Sequence, residues 1–190
     1  MHNFPFSNTN KRYYTYDYYL KNTYQSKVFK VALNAGFSCP NRDGTKDRKG
    51  CLFCGQEGAG EFAGSPADDL LTQFDKQVAL MHQKWPVAHY IAYFQAYTNT
   101  HAPVASLQAC FEPFINKEKV VGIAIATRPD CLSSEVLDYL SNLNERTDLF
   151  VELGLQTIHD STADFINRHY KTRVFYEAVA ALSKRNIRIV

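Results

Sequence analysis

The chain has 190 residues, 45% of them hydrophobic and 21% charged, with a formal net charge of +2. That composition builds a sizeable globular core and exerts only a mild pull toward anionic partners. No apolar run approaches the roughly 18 residues of a membrane span, and the opening MHNFPFSNTNKRYY lacks a signal-peptide core, so a cytoplasmic chain with reduced thiols and no membrane association is expected.

Residues 1–27 read as an aromatic and basic extension. KRYYTYDYYLKNTYQSK holds six tyrosines between Lys11 and Lys27. Tyrosines interleaved with Lys and Arg stack on bases and neutralise phosphates. The alternative is a helix laying its rings across the mouth of a barrel.

From residue 28 onward, strand and helix signals alternate. FKVAL (Phe29–Leu33) and HYIAYFQ (His89–Gln95) read as strands. VVGIAIA (Val120–Ala126) and LFVELGL (Leu149–Leu155) are continuous apolar runs, as suits strands covered on both faces. NIRIV (Asn186–Val190) starts a fifth. Ser65-Pro66-Ala67-Asp68 has the pattern of a helix start, followed by an apolar stripe of Leu71, Phe74, Val78, Met81 and Trp85. Pro103 opens a second helix with Leu107, Phe111 and Phe114, and Ser133 or Ser134 caps a third with Val136, Leu140 and Leu143. Thr172 is expected to cap a fourth that runs to about Arg185. Such alternation predicts a parallel sheet of βαβ units. The sequence stops inside a strand, with too few units for a closed eight-stranded barrel of about 250 residues, so a chain truncated at its C-terminus is expected.

Three of the five cysteines lie in CPNRDGTKDRKGCLFC, Cys39 to Cys54. Cys51 and Cys54 are spaced to reach one metal or cluster. Cys39 follows the first strand, and the polar loop between them carries Arg42, Lys46, Arg48 and Lys49 against Asp43 and Asp47. Structural zinc takes four Cys or His ligands, and no histidine lies between Cys39 and Cys54. A four-iron cluster on three cysteines leaves one iron open to a non-protein ligand, as iron–sulfur radical chemistry with S-adenosylmethionine requires.

These residues resemble the radical S-adenosylmethionine superfamily, whose motif is C-x3-C-x2-C with an aromatic before the last cysteine, here Phe53. The long first gap, FKVALNAGFSCPNRDG and GCLFCGQEGAGEFAG are similar to the YhcC/YtqA-type branch related to the Elongator catalytic subunit. The resemblance implies a partial TIM-like (β/α)6 barrel in an α/β fold. It also implies a 4Fe–4S cluster on Cys39, Cys51 and Cys54. One electron from that cluster cleaves S-adenosylmethionine to a 5′-deoxyadenosyl radical, which abstracts a hydrogen from substrate.

Further stretches extend the resemblance. FQAYTNT stands where the superfamily carries a Gly-Gly-Glu-like turn, leaving Gln95, Thr98 and Asn99 as candidate acceptors. ATRPD resembles an Elongator-type signature and nominates Thr127, with Arg128 bridging carboxylates as the structural alternative. VELGLQT nominates Glu152 and Gln156, and INRHY nominates Arg168 for the cofactor carboxylate, with Asn167 where glycine is common. A buried Glu152 needs a partner, for which Arg168 is one option. Cys131, beside ATRPD, is the one candidate for a catalytic thiol, whereas Cys110 reads as core. The branch implies a transfer-RNA substrate, with a wobble uridine as the modified base, and an electron donor such as flavodoxin or ferredoxin; no stable protein partner is evident. The rival readings are a non-catalytic zinc- or cluster-stabilised RNA-binding module and an inactive truncated fragment.

Overall fold

A computed structural model describes residues 11–58, 60–86 and 88–190. Five strands form one all-parallel sheet in chain order: β1 (Lys27–Leu33), β2 (Ala88–Phe94), β3 (Val120–Thr127), β4 (Asp148–Leu153) and the two-residue β5 (Arg188–Ile189). This is the sheet of a partial (β/α) barrel. The α-helices are α1 (Tyr16–Tyr24), α2 (Leu70–His82), α3 (Val104–Phe111), α4 (Ser134–Arg146), α5 (Asp160–Phe165) and α6 (Thr172–Ser183). No helix among the described residues is long and apolar enough to cross a membrane.

Strand alternation sends two sets of side chains to opposite faces. Val31, Leu33, Tyr90, Ala92, Phe94, Ile123, Ile125, Leu149, Val151 and Leu153 form the main core with Phe74 of α2, Leu107 and Phe111 of α3, Leu140 and Leu143 of α4, and Leu182 of α6. Val28, Ile91, Ala124 and Phe150 face the other way and are covered by Leu20 of α1. Both faces are therefore covered, which explains the apolar runs that mark β3 and β4 in the sequence.

The tyrosine-rich segment is that covering helix. Thr15 caps it by accepting from Tyr18 N at 3.1 Å. Tyr24 donates to Asp148 Oδ2 at 2.6 Å, at the start of β4. Tyr16, at the start of α1, lies beside Lys30, farther along the strands, so α1 runs back toward the strands' N-terminal edge, where β1 begins. Tyr13 and Tyr14 stay more than half exposed.

Several helix starts differ from expectation. α2 begins at Leu70, capped by Asp69, whose carboxylate accepts from Thr72 N at 3.0 Å. The Ser65 hydroxyl accepts only from Ala67 N, within a local turn. Gly64 is pressed against Gln73, where an added Cβ would stand 2.5 Å from Oε1. That close approach holds the 60–68 segment outside the helix. Trp85 lies beyond the end of α2 and packs on Phe29, with centroids 4.5 Å apart. Ser133 caps α4 as expected. Thr172 is the first residue of α6, not its cap, and its N–H is taken by Asp160 Oδ1 at 2.7 Å. The short α5 escaped the sequence because six residues carry too little periodicity.

Leu20 is 3% exposed beneath the sheet. Leu20→Ala is expected to lower unfolding free energy by about 3 kcal/mol, the cost of a core cavity, read as a shift of the urea midpoint. An unchanged midpoint would mean that α1 is not part of the core.

Candidate active site

The C-terminal ends of the strands converge on a cavity of about 400 Å³. Cys39, Cys51 and Cys54 line it, together with Asn41, Thr98, Thr127, Arg128, Glu152, Gly154, Gln156, Arg168 and Tyr170. The sequence placed these thiols together, and they are together. None is in a disulfide.

The loop between Cys39 and Cys51 is folded on itself. Arg42 N and Asp43 N both donate to Cys39 O, at 2.8 and 3.0 Å, and Gly50 N donates to Asn41 O at 2.8 Å. Charged contacts pin its outer side: Lys46 pairs with Asp130, His101 Nε2 lies 2.8 Å from Asp43 Oδ2, and His169 Nε2 lies 3.3 Å from Asp47 Oδ2. Arg42 Nη2 donates to Gly55 O at 2.6 Å, and its guanidinium lies over the Tyr97 ring. Two of the loop's four basic residues, Arg42 and Lys46, are thus engaged within the chain.

Cys51 and Cys54 lie close enough for one thiol to hydrogen-bond the other, which links their ionisation. The Cys54 hydrogen bond, helped by the Asn41 amide and by Arg128, brings the Cys51 thiol down to about 6. The same hydrogen bond, with burial, pushes Cys54 far up. One thiolate is therefore available at neutral pH and the second resists ionisation until a positive centre arrives. Among the described residues no three His, Cys, Asp or Glu side chains converge on a point suited to one metal ion. A zinc ion draws sulfurs to about 2.3 Å from a single centre, whereas a cluster spreads its cysteines over several irons. Three cysteines around one cavity are a donor set that would suit a cluster with one iron left open. The Asn41 Oδ1 and Thr98 Oγ1 atoms are buried without partners, and both residues line the cavity. Unpaired buried polar atoms mark a place built for a ligand.

The other nominated residues divide. Thr127, Glu152 and Gln156 line the cavity. Thr127 Oγ1 lies 2.5 Å from Thr100 Oγ1. Glu152 is held by Lys30 and by the Tyr93 hydroxyl at 2.8 Å, so its partner is not Arg168. Gln95 and Asn99 do not line the cavity. Asn99 is fully buried and stitches two turns, donating to Ala96 O and Ala126 O at 3.1 and 3.0 Å. Cys131 opens instead on a separate groove between α4 and α6, and burial pushes its thiol up to about 12. A thiol that remains protonated is a poor nucleophile.

Arg168 lines the cavity yet has no donor left for a cofactor carboxylate. Nη1 donates to Leu155 O and Thr157 O at 2.7 and 2.6 Å. Nε and Nη2 reach Tyr170 O at 3.1 and 2.9 Å, and Nη2 also reaches Thr172 Oγ1 at 3.2 Å. All five N–H bonds close the 155–172 loop. Little in the sequence signals this, because four of the five contacts end on main-chain carbonyls. Arg128 forks onto Asp130, with both contacts at 2.9 Å, and donates to Arg168 O at 2.8 Å.

Strain gathers here too. Ala96, Tyr97, Gln156, Asn167 and His169 all have positive φ, from 57° to 85°, in loops around the site. The FQAYTNT turn lacks glycines but keeps, at Ala96 (φ 85°) and Tyr97 (φ 60°), a backbone that glycines adopt freely.

A parallel partial barrel with three free thiols around a cavity at its strand ends is the layout of a cluster- and cofactor-binding barrel. The model of the radical SAM superfamily matches residues 39–190, and the chain belongs to that superfamily, which uses a 4Fe–4S cluster and S-adenosylmethionine. It is 56% identical to YtqA of Bacillus subtilis over 186 residues, 98% of this chain and 58% of that protein. It is 37% identical to YhcC of Escherichia coli K12 over 174 residues, 90% of this chain and 54% of that protein. The chain thus spans a little over half the length of the curated relatives it matches. The cobalamin-dependent S-adenosylmethionine radical enzyme OxsB shares the fold, with a TM-score of 0.53 at 11% identity, over 85% of this chain and 23% of that one.

Two measurements test this site. In the cluster-free chain, Cys51 alkylation by iodoacetamide is expected to accelerate as pH rises through about 6, below the ~8.5 of a free thiol; a midpoint above 8 contradicts the linked ionisation of the two thiols. Arg168→Lys is expected to cost about 2–4 kcal/mol in urea unfolding, because an ammonium cannot reach all five acceptor contacts.

Proposed function

We propose that this chain forms the core of a radical S-adenosylmethionine enzyme, with Cys39, Cys51 and Cys54 as the cluster ligands. The observation that carries the reading is the grouping of three free thiols around one cavity that also holds unpartnered polar atoms. When bound, the cluster and cofactor supply a one-electron cleavage of the sulfonium and a radical able to take hydrogen from substrate.

The chain's own residues do the rest. Cys39, Cys51 and Cys54 would hold the cluster, and a set of three cysteines would leave room for S-adenosylmethionine as the non-protein ligand. Thr98 and Thr127 offer hydroxyls to its polar groups. Glu152, steadied by Lys30 and Tyr93, presents a fixed carboxylate to a ribose or an amino group. Gly154 and the Gln156 side chain leave little space between them, since a Cβ on Gly154 would meet Gln156 Nε2 at 2.7 Å. Beneath the Lys30–Tyr93–Glu152 set, the apolar part of the sheet and α1 seal this face from water.

The proposed substrate is transfer RNA, modified at a wobble uridine, with a flavodoxin or ferredoxin as electron donor. ATRPD and VELGLQT support this through their similarity to the Elongator-type branch. The exposed Tyr13 and Tyr14 rings, near Lys11 and Arg12, offer surfaces on which bases stack.

Anaerobic reconstitution tests the reading. The chain is expected to take up about four irons and as many sulfides, to show visible absorption that bleaches with dithionite, and to lose the iron on Cys→Ala at 39, 51 or 54. With dithionite and S-adenosylmethionine it is expected to release 5′-deoxyadenosine. One bound zinc and no iron would overturn the proposal in favour of a zinc-stabilised binding module.

A further inference from the structure

Asn41 is fully buried inside the cysteine loop. Its Nδ2 lies 3.2 Å from Cys51 Sγ, 2.8 Å from Asn167 O and 3.2 Å from Arg168 O. One NH2 group therefore joins a cluster cysteine to the segment that Arg168 clamps. Its Oδ1 has no partner. An amide buried with one end unsatisfied lowers stability, so a purely structural role is a poor explanation for it. The donor end, facing three acceptors, is the better one.

The other contacts that hold this loop differ in kind. Lys46, His101 and His169 reach carboxylates from the surface, with their own side chains 27–38% exposed. The Arg42 guanidinium goes to the carbonyls of Cys54 and Gly55. Among the described residues, Asn41 is the one non-cysteine side chain with a hydrogen bond to a cysteine sulfur of the cavity.

We propose that Asn41 is a positioning residue that sets the electron affinity of the cluster, by donating a hydrogen bond to the Cys51 sulfur from a point fixed against the Arg168 loop. The proposal rests on the cluster reading above. A donor to a ligand sulfur stabilises the reduced, more negative cluster and raises its reduction potential. Because the same NH2 group is tied to Asn167 O and Arg168 O, the donor cannot drift as the cluster changes charge. A movement of the 167–168 backbone would pass directly to the sulfur.

The test is an EPR-monitored redox titration of the reconstituted chain and of Asn41→Leu. The variant is expected to need a lower potential, with at least a tenfold fall in the reduced-to-oxidised ratio at fixed potential, equal to 59 mV for one electron. A four-iron cluster with a ratio within twofold of wild type overturns the proposal. Should Asn41→Leu not fold, pulsed EPR of the reduced wild-type chain carrying asparagine labelled with nitrogen-15 in the side-chain amide decides. Coupling of that nitrogen to the cluster is expected, and its absence overturns the proposal. A wild-type chain that binds no iron overturns the cluster reading itself, a result separable from both.

Discussion

A single buried guanidinium holds the site in place. Burying an arginine without full compensation costs several kcal/mol. Arg168, 1% exposed, meets this by directing every N–H to an acceptor on the 155–172 loop. The loop is then rigid enough for its own carbonyls to serve as anchors. Arg168 O accepts from Arg128 and from Asn41, and Ile166 O accepts from Leu52 N at 3.0 Å. The cysteine loop therefore hangs from main-chain atoms, whose positions a change of neighbouring side chains leaves largely intact.

The parallel α/β class was legible because it depends on period and alternation, whereas the barrel arrangement of the strands rested on the family resemblance. β1 to β4 were found within two residues at each end, since each is an apolar run bounded by polar turns. The grouping of Cys39, Cys51 and Cys54 around one cavity was legible from the Cys-x-x-Cys spacing together with the family resemblance. Contacts that join distant segments through main-chain atoms were not. Asn41 reads as one more loop asparagine until Asn167 and Arg168 arrive beside it. Glu152 announced itself as a carboxylate in an apolar strand, but its partner Lys30, 122 residues earlier, looked like any half-exposed strand lysine. Arg168 and Asn99 were noticed for polarity in the right places, yet the Arg168 N–H groups and the Asn99 amide nitrogen bond to the chain itself.

The inner face of the sheet combines two tasks. Near the strands' N-terminal ends it is apolar, with Val28, Ile91, Ala124 and Phe150 covered by Leu20. Toward the C-terminal ends it becomes polar, with Lys30, Tyr93 and Glu152 in one connected set. Burial and the neighbouring Glu152 push the Tyr93 phenol well above its ordinary range. It therefore stays protonated and keeps donating to the carboxylate at any physiological pH. The set forms a floor of fixed charge beneath the cavity, insulated on the far side by α1.

The contacts that complete this half-barrel share a long reach along the chain. Tyr24 finds Asp148 across 124 positions, and Asn41 finds Arg168 across 127. Contacts of such separation form late and slow folding. During synthesis at about 5–20 residues per second, Cys54 emerges on the order of ten seconds before Arg168 does. For that interval the three thiols sit on a nascent loop held only by its local hydrogen bonds, without its anchors at Ile166, Asn167 and Arg168. The thiols are thus at their most accessible, to iron delivery and to oxidants alike, before the site that will hold the cluster exists.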